Sequence, residues 1–184
     1  SVDELIAIRD HGVNARMIRA AHAYFGRISA EDLTYLADRG VGPHYLQTLS
    51  ASGITGIDPH SAVELMDHGV SASLIGAAYS YFGHPSAPDL INLADHGVSA
   101  RFIEALRENG LTGIGPSDAV ELMNHGVNPA MIHTAFTYFR PRPSVSDLID
   151  LTNHGVDCAY IQKVLRFNPR ASVSDVIRLR DSGF

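Results

Sequence analysis

The stretch that decides the fold runs from Glu64 to Ile75 and reads ELMDHGVSASLI. It returns almost unchanged as ELMNHGVNPAMI between Glu121 and Ile132, and looser copies surround the other equivalent glycines. These glycines stand 28 or 29 residues apart, at positions 12, 40, 69, 97, 126, 155 and 183. Self-similarity at a fixed period of this length is typical of repeat proteins, whose units stack on their neighbours.

Each copy begins with a pattern that predicts a short helix. Apolar residues recur at near-helical spacing, which gives the helix one buried side. A serine with an acid three residues later precedes the apolar run, and this arrangement is typical of a capping box at a helix start. Such pairs are Ser1–Glu4, Ser29–Asp32, Ser86–Asp89, Ser144–Asp147 and Ser172–Asp175, whereas in the third repeat Asp58 is followed by Pro59.

The Gly-Val pair that follows predicts a hinge between two helices. Glycine adopts the left-handed conformation that helix C-termini favour, and the next valine supplies the usual apolar contact. A new N-cap residue comes directly afterwards, for example Asn14 or Ser71. Val13 with Ile18 has the spacing of a hydrophobic staple around that second start. Each repeat is therefore predicted to be a helix–turn–helix hairpin.

A longer rhythm is superimposed on the single repeat. The segments AHAYFG, AYSYFG and AFTYFR, which begin at Ala21, Ala78 and Ala135, recur every 57 residues. Because so short a hairpin cannot bury its apolar side alone, we expect an all-α fold, an α-solenoid of about six hairpins, paired into a 57-residue super-repeat, plus a closing helix. One domain, 1–184, would contain repeats at about 1–28, 29–57, 58–85, 86–114, 115–143 and 144–171, and a half repeat at 172–184.

Composition restricts the function classes. The chain has 184 residues, is 45% hydrophobic and carries a formal charge of −6. No apolar run approaches the roughly 18–20 residues of a membrane span, and the acidic balance argues against a nucleic-acid partner. The single cysteine, Cys158, excludes an internal disulfide and leaves the compartment open. No HExxH, GxSxG or phosphate-binding loop occurs, so we expect neither an enzyme nor a cofactor.

The residues just before each hinge glycine form a second recurring series. The immediately preceding residue is His in five repeats, and the one before it is always Asp or Asn. A His at a helix end has an ordinary capping role, and equivalent His residues of stacked repeats would lie too far apart to share one metal ion. We therefore predict a ladder in which each Asp or Asn accepts a hydrogen bond from an amide or His of the hinge or of the next repeat. An acidic stripe that binds a cation or a basic peptide is the alternative.

The outer side of each second helix is where the repeats differ from one another. Repeat proteins commonly bind partners on such a surface because the scaffold does not constrain it, although plain solvent exposure explains the variation equally well. The tyrosines of the Tyr-Phe pairs favour a structural role over ligand contact and are kept as candidates. The candidate partner-binding residues are Arg16, Arg19, Tyr24, His44, Gln47, Tyr81, Arg101, Glu104, His133, Tyr138 and Gln162.

The opening phrase SVDELIAIRDHGVNARMI, with its echoes along essentially all 184 residues, resembles a bacterial helical repeat with a consensus like DLIxLRxHGVTPEYIxxL. That repeat occurs in the C-terminal parts of some membrane-anchored sensor or antirepressor-like metallopeptidases, where the peptidase motif lies in a separate domain. The resemblance implies a binding or sensing appendage without chemistry of its own, on either side of the membrane.

The sequence thus favours a non-enzymatic scaffold that binds a protein or peptide. A sensory or regulatory module of a larger bacterial protein is one alternative, since the chain does not begin with Met. A self-assembling repeat that forms homo-oligomers through open solenoid ends is another. A metal-dependent enzyme that uses the His and Asp series is the least favoured.

Overall fold

The computed structural model describes residues 8–183. All of the regular secondary structure in that range is helical, which confirms the predicted all-α class. Residues 8–10 are helical and precede the first hinge. The helices that follow are α1 (Ala15–Phe25), α2 (Ala30–Asp38), α3 (Pro43–Ala51), α4 (Pro59–Asp67), α5 (Ala72–Phe82), α6 (Ala87–Asp95), α7 (Ala100–Glu108), α8 (Pro116–Asn124), α9 (Pro129–Tyr138), α10 (Val145–Asn153), α11 (Cys158–Phe167) and α12 (Val173–Asp181).

The chain divides into two compact halves, Ser1–Asp95 and His96–Phe184. In the N-terminal half the first helices of successive repeats, α2, α4 and α6, contact one another in order, and the second helices α1, α3 and α5 do the same. The C-terminal half repeats this with α8, α10 and α12 in one row and α7, α9 and α11 in the other. Each half is therefore a stack of hairpins, as in a solenoid, and the single domain over 1–184 stays a prediction.

Helix starts follow the predicted capping chemistry. At Ser144 the side chain accepts the backbone N–H of Asp147 at 3.1 Å, and the Asp147 carboxylate accepts the N–H of Ser144 at 2.8 Å. The same reciprocal pair occurs at Ser86 and Ser172. Asp58 caps α4 through the N–H of Ser61 at 2.8 Å. The predicted Ser1–Glu4 pair lies outside the described residues.

The hinge is a Schellman turn, as the Gly-Val pair predicts. Gly69 has φ +67°, its N–H donates to the carbonyl of Met66 at 2.9 Å, and the N–H of Val70 donates to the carbonyl of Leu65 at 2.8 Å. These two bonds satisfy carbonyls that a helix end leaves free. The corresponding valine bonds join Val13 to Ile8, Val41 to Leu36, Val127 to Leu122 and Val156 to Leu151.

The core lies between the two rows of helices. Its best-buried members come from the predicted apolar positions, and the hinge valines join them with 0–4% exposure. Those with no exposed side-chain surface include Leu36, Leu65, Leu93, Leu122 and Leu151 on the first helices, and Ile75, Ile132 and Ile161 on the second. The predicted apolar positions at Val2, Leu5 and Ile6 fall outside the described residues.

The corners that end the second helices follow the 57-residue period only in part. Gly26 and Gly83 close α1 and α5 at φ +76° and +89°. At the third corner Arg140 stands in place of glycine, and α9 instead ends at Phe139 in extended backbone at φ −82° and ψ 144°. A residue with a Cβ avoids positive φ, and the link from Arg140 to Ser144 is also one residue longer than the link from Gly83 to Ser86, so this corner takes a different path. No helix of residues 8–183 combines the length and apolar character that crossing a bilayer requires.

Candidate functional site

A groove of about 350 Å³ lies between the second helices α1 and α3. We call it the first groove. Successive second helices pack side by side, and small side chains on both helices leave the space between their outer sides unfilled. Its lining residues are Arg16, Arg19, Ala20, Ala23, Tyr24, Leu46, Gln47, Ser50 and Ala51. Four of the candidate residues, Arg16, Arg19, Tyr24 and Gln47, are therefore brought together here.

One wall of the first groove is cationic. Arg16 and Arg19 are both exposed, and because they are three residues apart on α1 they lie on the same side of the helix. Among residues 8–183, no acidic side chain lines the groove. No residue in the range 8–183 forms an ion pair with either arginine. The positive charge of this wall is therefore not neutralised by the described part of the protein.

The opposite wall is polar and uncharged. Gln47 and Ser50 are three residues apart on α3, so they form a matching row across from the arginines. Both are exposed. An amide and a hydroxyl can each donate and accept hydrogen bonds, which suits contact with a peptide backbone.

Tyr24 closes one end of the groove and is fixed by the fold. Its hydroxyl donates to the carbonyl of Ile54 at 3.0 Å, in the corner of the following repeat, and its ring packs edge-to-face on Phe25 at 4.9 Å. Burial, with smaller effects from Tyr79 and Tyr45, raises the pKa of Tyr24 to about 12. The hydroxyl proton is thus committed to a carbonyl, which leaves the ring and the acceptor capacity of the hydroxyl oxygen for a ligand.

A second groove of about 710 Å³ lies in the C-terminal half, between α7 and the hinge before α9. Its lining carries charges of both signs, positive on Arg101 and negative on Glu104 and Glu108. Its lining residues are Ser99, Arg101, Phe102, Glu104, Ala105, Glu108, Met123, Gly126, Val127, Asn128 and Pro129. Phe102, Met123 and Val127 give this groove an apolar part.

The remaining candidates lie apart from both grooves. His44 is exposed at the start of α3, Gln162 is half-buried on α11, and Tyr138 is half-buried at the end of α9. Tyr81 is half-buried against Phe82, with ring centroids 4.8 Å apart. His133 is exposed, and its Nδ1 donates to the Oδ1 of Asn109 at 2.9 Å, so it links α9 to the end of α7. The candidate set as a whole stays a prediction.

The hinge edge carries the predicted ladder. The Nδ1 of His68 donates to the carboxylate of Asp95 at 2.7 Å, and the Nδ1 of His125 donates to the side-chain oxygen of Asn153 at 2.9 Å. Carboxylate and amide oxygens can only accept, which fixes the imidazole as donor. In five repeats the Asp or Asn accepts from the hinge of the repeat before it, so the predicted direction, from its own hinge or from the next repeat, is wrong. The other rungs are His11–Asp38 at 2.8 Å, His154–Asp181 at 2.9 Å and Arg39–Asp67 at 3.5 Å.

The ladder does not assemble a metal centre. Within the described residues no three His, Cys, Asp or Glu side chains lie close enough to hold one ion. Each rung instead pairs a single donor with a single acceptor, and the paired side chains of the His68–Asp95 rung are each 44% exposed. The arrangement can align successive repeats, but it offers no coordination sphere.

Two features of the site escape sequence reasoning. The floor of the first groove is built by Ala20, Ala23 and Ala51, whose smallness makes the space but leaves no chemical signature. Arg180 also stacks on an aromatic ring of the preceding repeat, Tyr160, with its guanidinium carbon 5.2 Å from the ring centroid. The only available signal was the departure of Arg180 from the apolar residue that inner repeats carry at that position.

Comparison of the chain with protein-family models, with curated proteins and with solved structures gave no match.

Proposed function

We propose that this chain is a non-enzymatic repeat scaffold that binds a segment of another protein in the grooves between its second helices. The observation that carries the proposal is the first groove. Arg16, Arg19 and Gln47 line it, all three are exposed, and none of their side chains is bonded to another side chain of the described residues. Their chemistry is therefore left for a partner.

The contrast with the hinge edge supports this assignment. Hinge side chains bond from repeat to repeat, so a change there would disturb the stack. The side chains of Arg16, Arg19 and Gln47 in the first groove form no such bonds among the described residues, and the residues at the first two of these positions differ between repeats. Arg16 corresponds to Ser73 and Ala130, and Arg19 to Gly76 and His133. A scaffold that keeps its frame and varies one surface is the usual arrangement for recognition by repeat proteins.

Selection from an unbiased peptide display library tests the proposal. Two variants obstruct the grooves, Ala23→Phe for the first and Glu104→Phe for the second, because each puts a ring on a lining position. Ala159→Phe is the matched control, since Ala159 is an exposed alanine on α11 outside both grooves. Helix content and the unfolding midpoint are checked for all three.

We expect enriched peptides to lose at least about tenfold in affinity with one of the two obstructing variants and to bind the control as they bind the original chain. Peptides that bind all three variants equally would place recognition elsewhere. A library that yields no binder would remove the proposed function altogether.

A further inference from the structure

We propose that the first groove takes an acidic peptide segment in extended conformation, with two carboxylates that pair with Arg16 and Arg19. This inference rests on the proposed function and adds the chemistry of the partner. Its first support is charge. Two exposed guanidinium groups share one wall, and in the part of the chain that the structure describes no acid lines the groove to neutralise them.

The charge of the surrounding chain makes this groove selective. The N-terminal half, residues 1–95, carries eleven acidic and five basic side chains. A partner drawn to that half by its overall field would be basic. The first groove is the local exception, because two of the five basic side chains meet there. An acidic segment would be favoured in the groove and disfavoured on the rest of the half.

The spacing of the two arginines fits alternate residues of an extended chain. Side chains three residues apart on a helix are neighbours, with Cβ atoms about 5–6 Å apart. Alternate side chains of an extended peptide point the same way and are about 7 Å apart. A guanidinium group binds a carboxylate through two parallel N–H bonds, so two acids at positions i and i+2 could each occupy one arginine.

The opposite wall favours an extended peptide over a helical one. Gln47 and Ser50 present an amide and a hydroxyl to the groove. An extended segment has backbone N–H and C=O groups that need partners, whereas a helix has satisfied nearly all of its own. The alanine floor from Ala20, Ala23 and Ala51 leaves space for a small side chain between the two acids.

Fluorescence anisotropy with three labelled peptides tests the inference. They share a Gly-Ser frame and carry Glu-Ala-Glu, Gln-Ala-Gln or Lys-Ala-Lys at the centre. We expect the Glu peptide to bind at least about tenfold more tightly than the Gln peptide, because charge-assisted bonds are lost with the carboxylates. Binding of the Glu peptide should weaken as salt rises, since the groove is open to solvent.

Variants of the chain assign the effect to the arginines. The double variant Arg16→Gln with Arg19→Gln should abolish the preference for the Glu peptide over the Gln peptide. The double variant Arg16→Lys with Arg19→Lys should keep part of that preference, because lysine keeps the positive charge but lacks the two-pronged guanidinium group. Arg166→Gln is the matched control, an exposed arginine on the second helix α11 that lines neither groove. It should leave binding of the Glu peptide unchanged.

The outcomes separate this inference from the function on which it rests. If the Gln peptide binds as well as the Glu peptide, or if the double variant keeps the preference, the acidic partner is wrong. If neutral or basic peptides selected by display lose affinity for the Ala23→Phe variant, the first groove would then still be supported as a binding site. A single-stranded oligonucleotide that binds the same arginines more tightly than the Glu peptide would also overturn the inference, since it would identify a nucleic acid as the polyanion.

Discussion

The hinge edge and the second-helix grooves belong to the same repeats but use their side chains in opposite ways. At the hinge edge His68 donates to Asp95 and His154 to Asp181, so a side chain of one repeat depends on the next. In the first groove the side chains of Arg16 and Gln47 bond to no other side chain of the described residues and line an open space. The repeats are similar at the hinge edge, where side chains bond from one repeat to the next, and they differ at the groove positions.

Exchanges within the ladder show which property the hinge edge keeps. Arg39 replaces the usual His and still donates to Asp67, at 3.5 Å. Asn153 replaces the usual Asp and still accepts from His125, at 2.9 Å. What is retained is a donor opposite a side-chain oxygen, and charge is secondary. The grooves retain no such pairing, which leaves their charge open to specialisation, as in the cationic wall of the first groove.

The largest effect should come from the core beneath the hinge. Leu65 has no exposed surface, and its carbonyl accepts the Val70 bond of the Schellman turn. We expect Leu65→Ala to lower the free energy of unfolding by about 2–5 kcal/mol, because the change removes buried contacts and leaves a cavity. Gln47→Ala in the first groove should change it by less than about 0.5 kcal/mol. Urea denaturation of the two variants measures both values, and similar losses would mean that the groove is part of the structural frame.

Two glycines of the same repeat should respond in opposite directions to the same substitution. Gly69 at the hinge has φ +67°, so Gly69→Ala should cost about 1–2 kcal/mol through the backbone alone, as no atom lies within 4 Å of the new methyl group. Gly76 is exposed within α5, where alanine is the better helix former. Gly76→Ala should therefore stabilise by about 0.5–1 kcal/mol.

Thermal unfolding of the two glycine variants decides the sign. A gain in stability for Gly69→Ala would mean that residue 69 does not need positive φ in solution. The Schellman turn would then not be what ends the helix. A loss for Gly76→Ala would mean that the exposed side of α5 is covered in solution.

The sequence predicts the hinge edge well because its signals are local. Capping pairs such as Ser144–Asp147, the positive φ of the glycines and the buried valines all act within one turn of helix, and each is recognisable from neighbouring residues. Repetition adds strength, because the same signal occurs six or seven times. Even the ladder was predictable in kind, although its direction along the chain was not.

The grooves are harder to predict because they form between repeats. Arg16 and Gln47 meet only when α1 and α3 pack side by side, and the alanines that make room for them carry no signal of their own. The third corner shows a related limit. The backbone takes a different path at Arg140, where the glycine is replaced and the corner is one residue longer, although the Tyr-Phe pair before it continues the 57-residue period.

A smaller effect should distinguish the acceptor from the charge in one rung. Asp95→Asn should change the free energy of unfolding by less than about 0.5 kcal/mol, because Asn fills the same role opposite His125. Asp95→Ala should cost about 0.5–1 kcal/mol, since the acceptor for His68 is lost. A double-mutant cycle of His68→Ala with Asp95→Ala isolates the pair. A coupling energy indistinguishable from zero would mean that the His68–Asp95 contact does not contribute to stability.

The smallest effect concerns a cap that can titrate. The N–H of Ser61 donates to Asp58, and this bond is the main reason that the pKa of Asp58 is lowered. A carboxyl whose pKa is lower in the folded chain adds stability above its unfolded pKa of about 3.9, and that stability is lost as pH falls through the folded value. Asp58→Ser keeps a capping oxygen that does not titrate.

The free energy of unfolding of the Asp58→Ser variant, relative to the original chain, should therefore rise as pH falls from 6 to 3. The rise should stay below about 0.5 kcal/mol, because the carboxylate is exposed and screened by water. The free energies are measured by urea denaturation of both proteins at pH 6, 4 and 3. The contributions of the other carboxyls cancel in the difference, because the two chains share them. A change of the opposite sign would mean that the capping bond is not formed in solution. It would also distinguish Asp58 from the serine N-caps of α2, α6, α10 and α12, whose capping hydroxyls do not titrate.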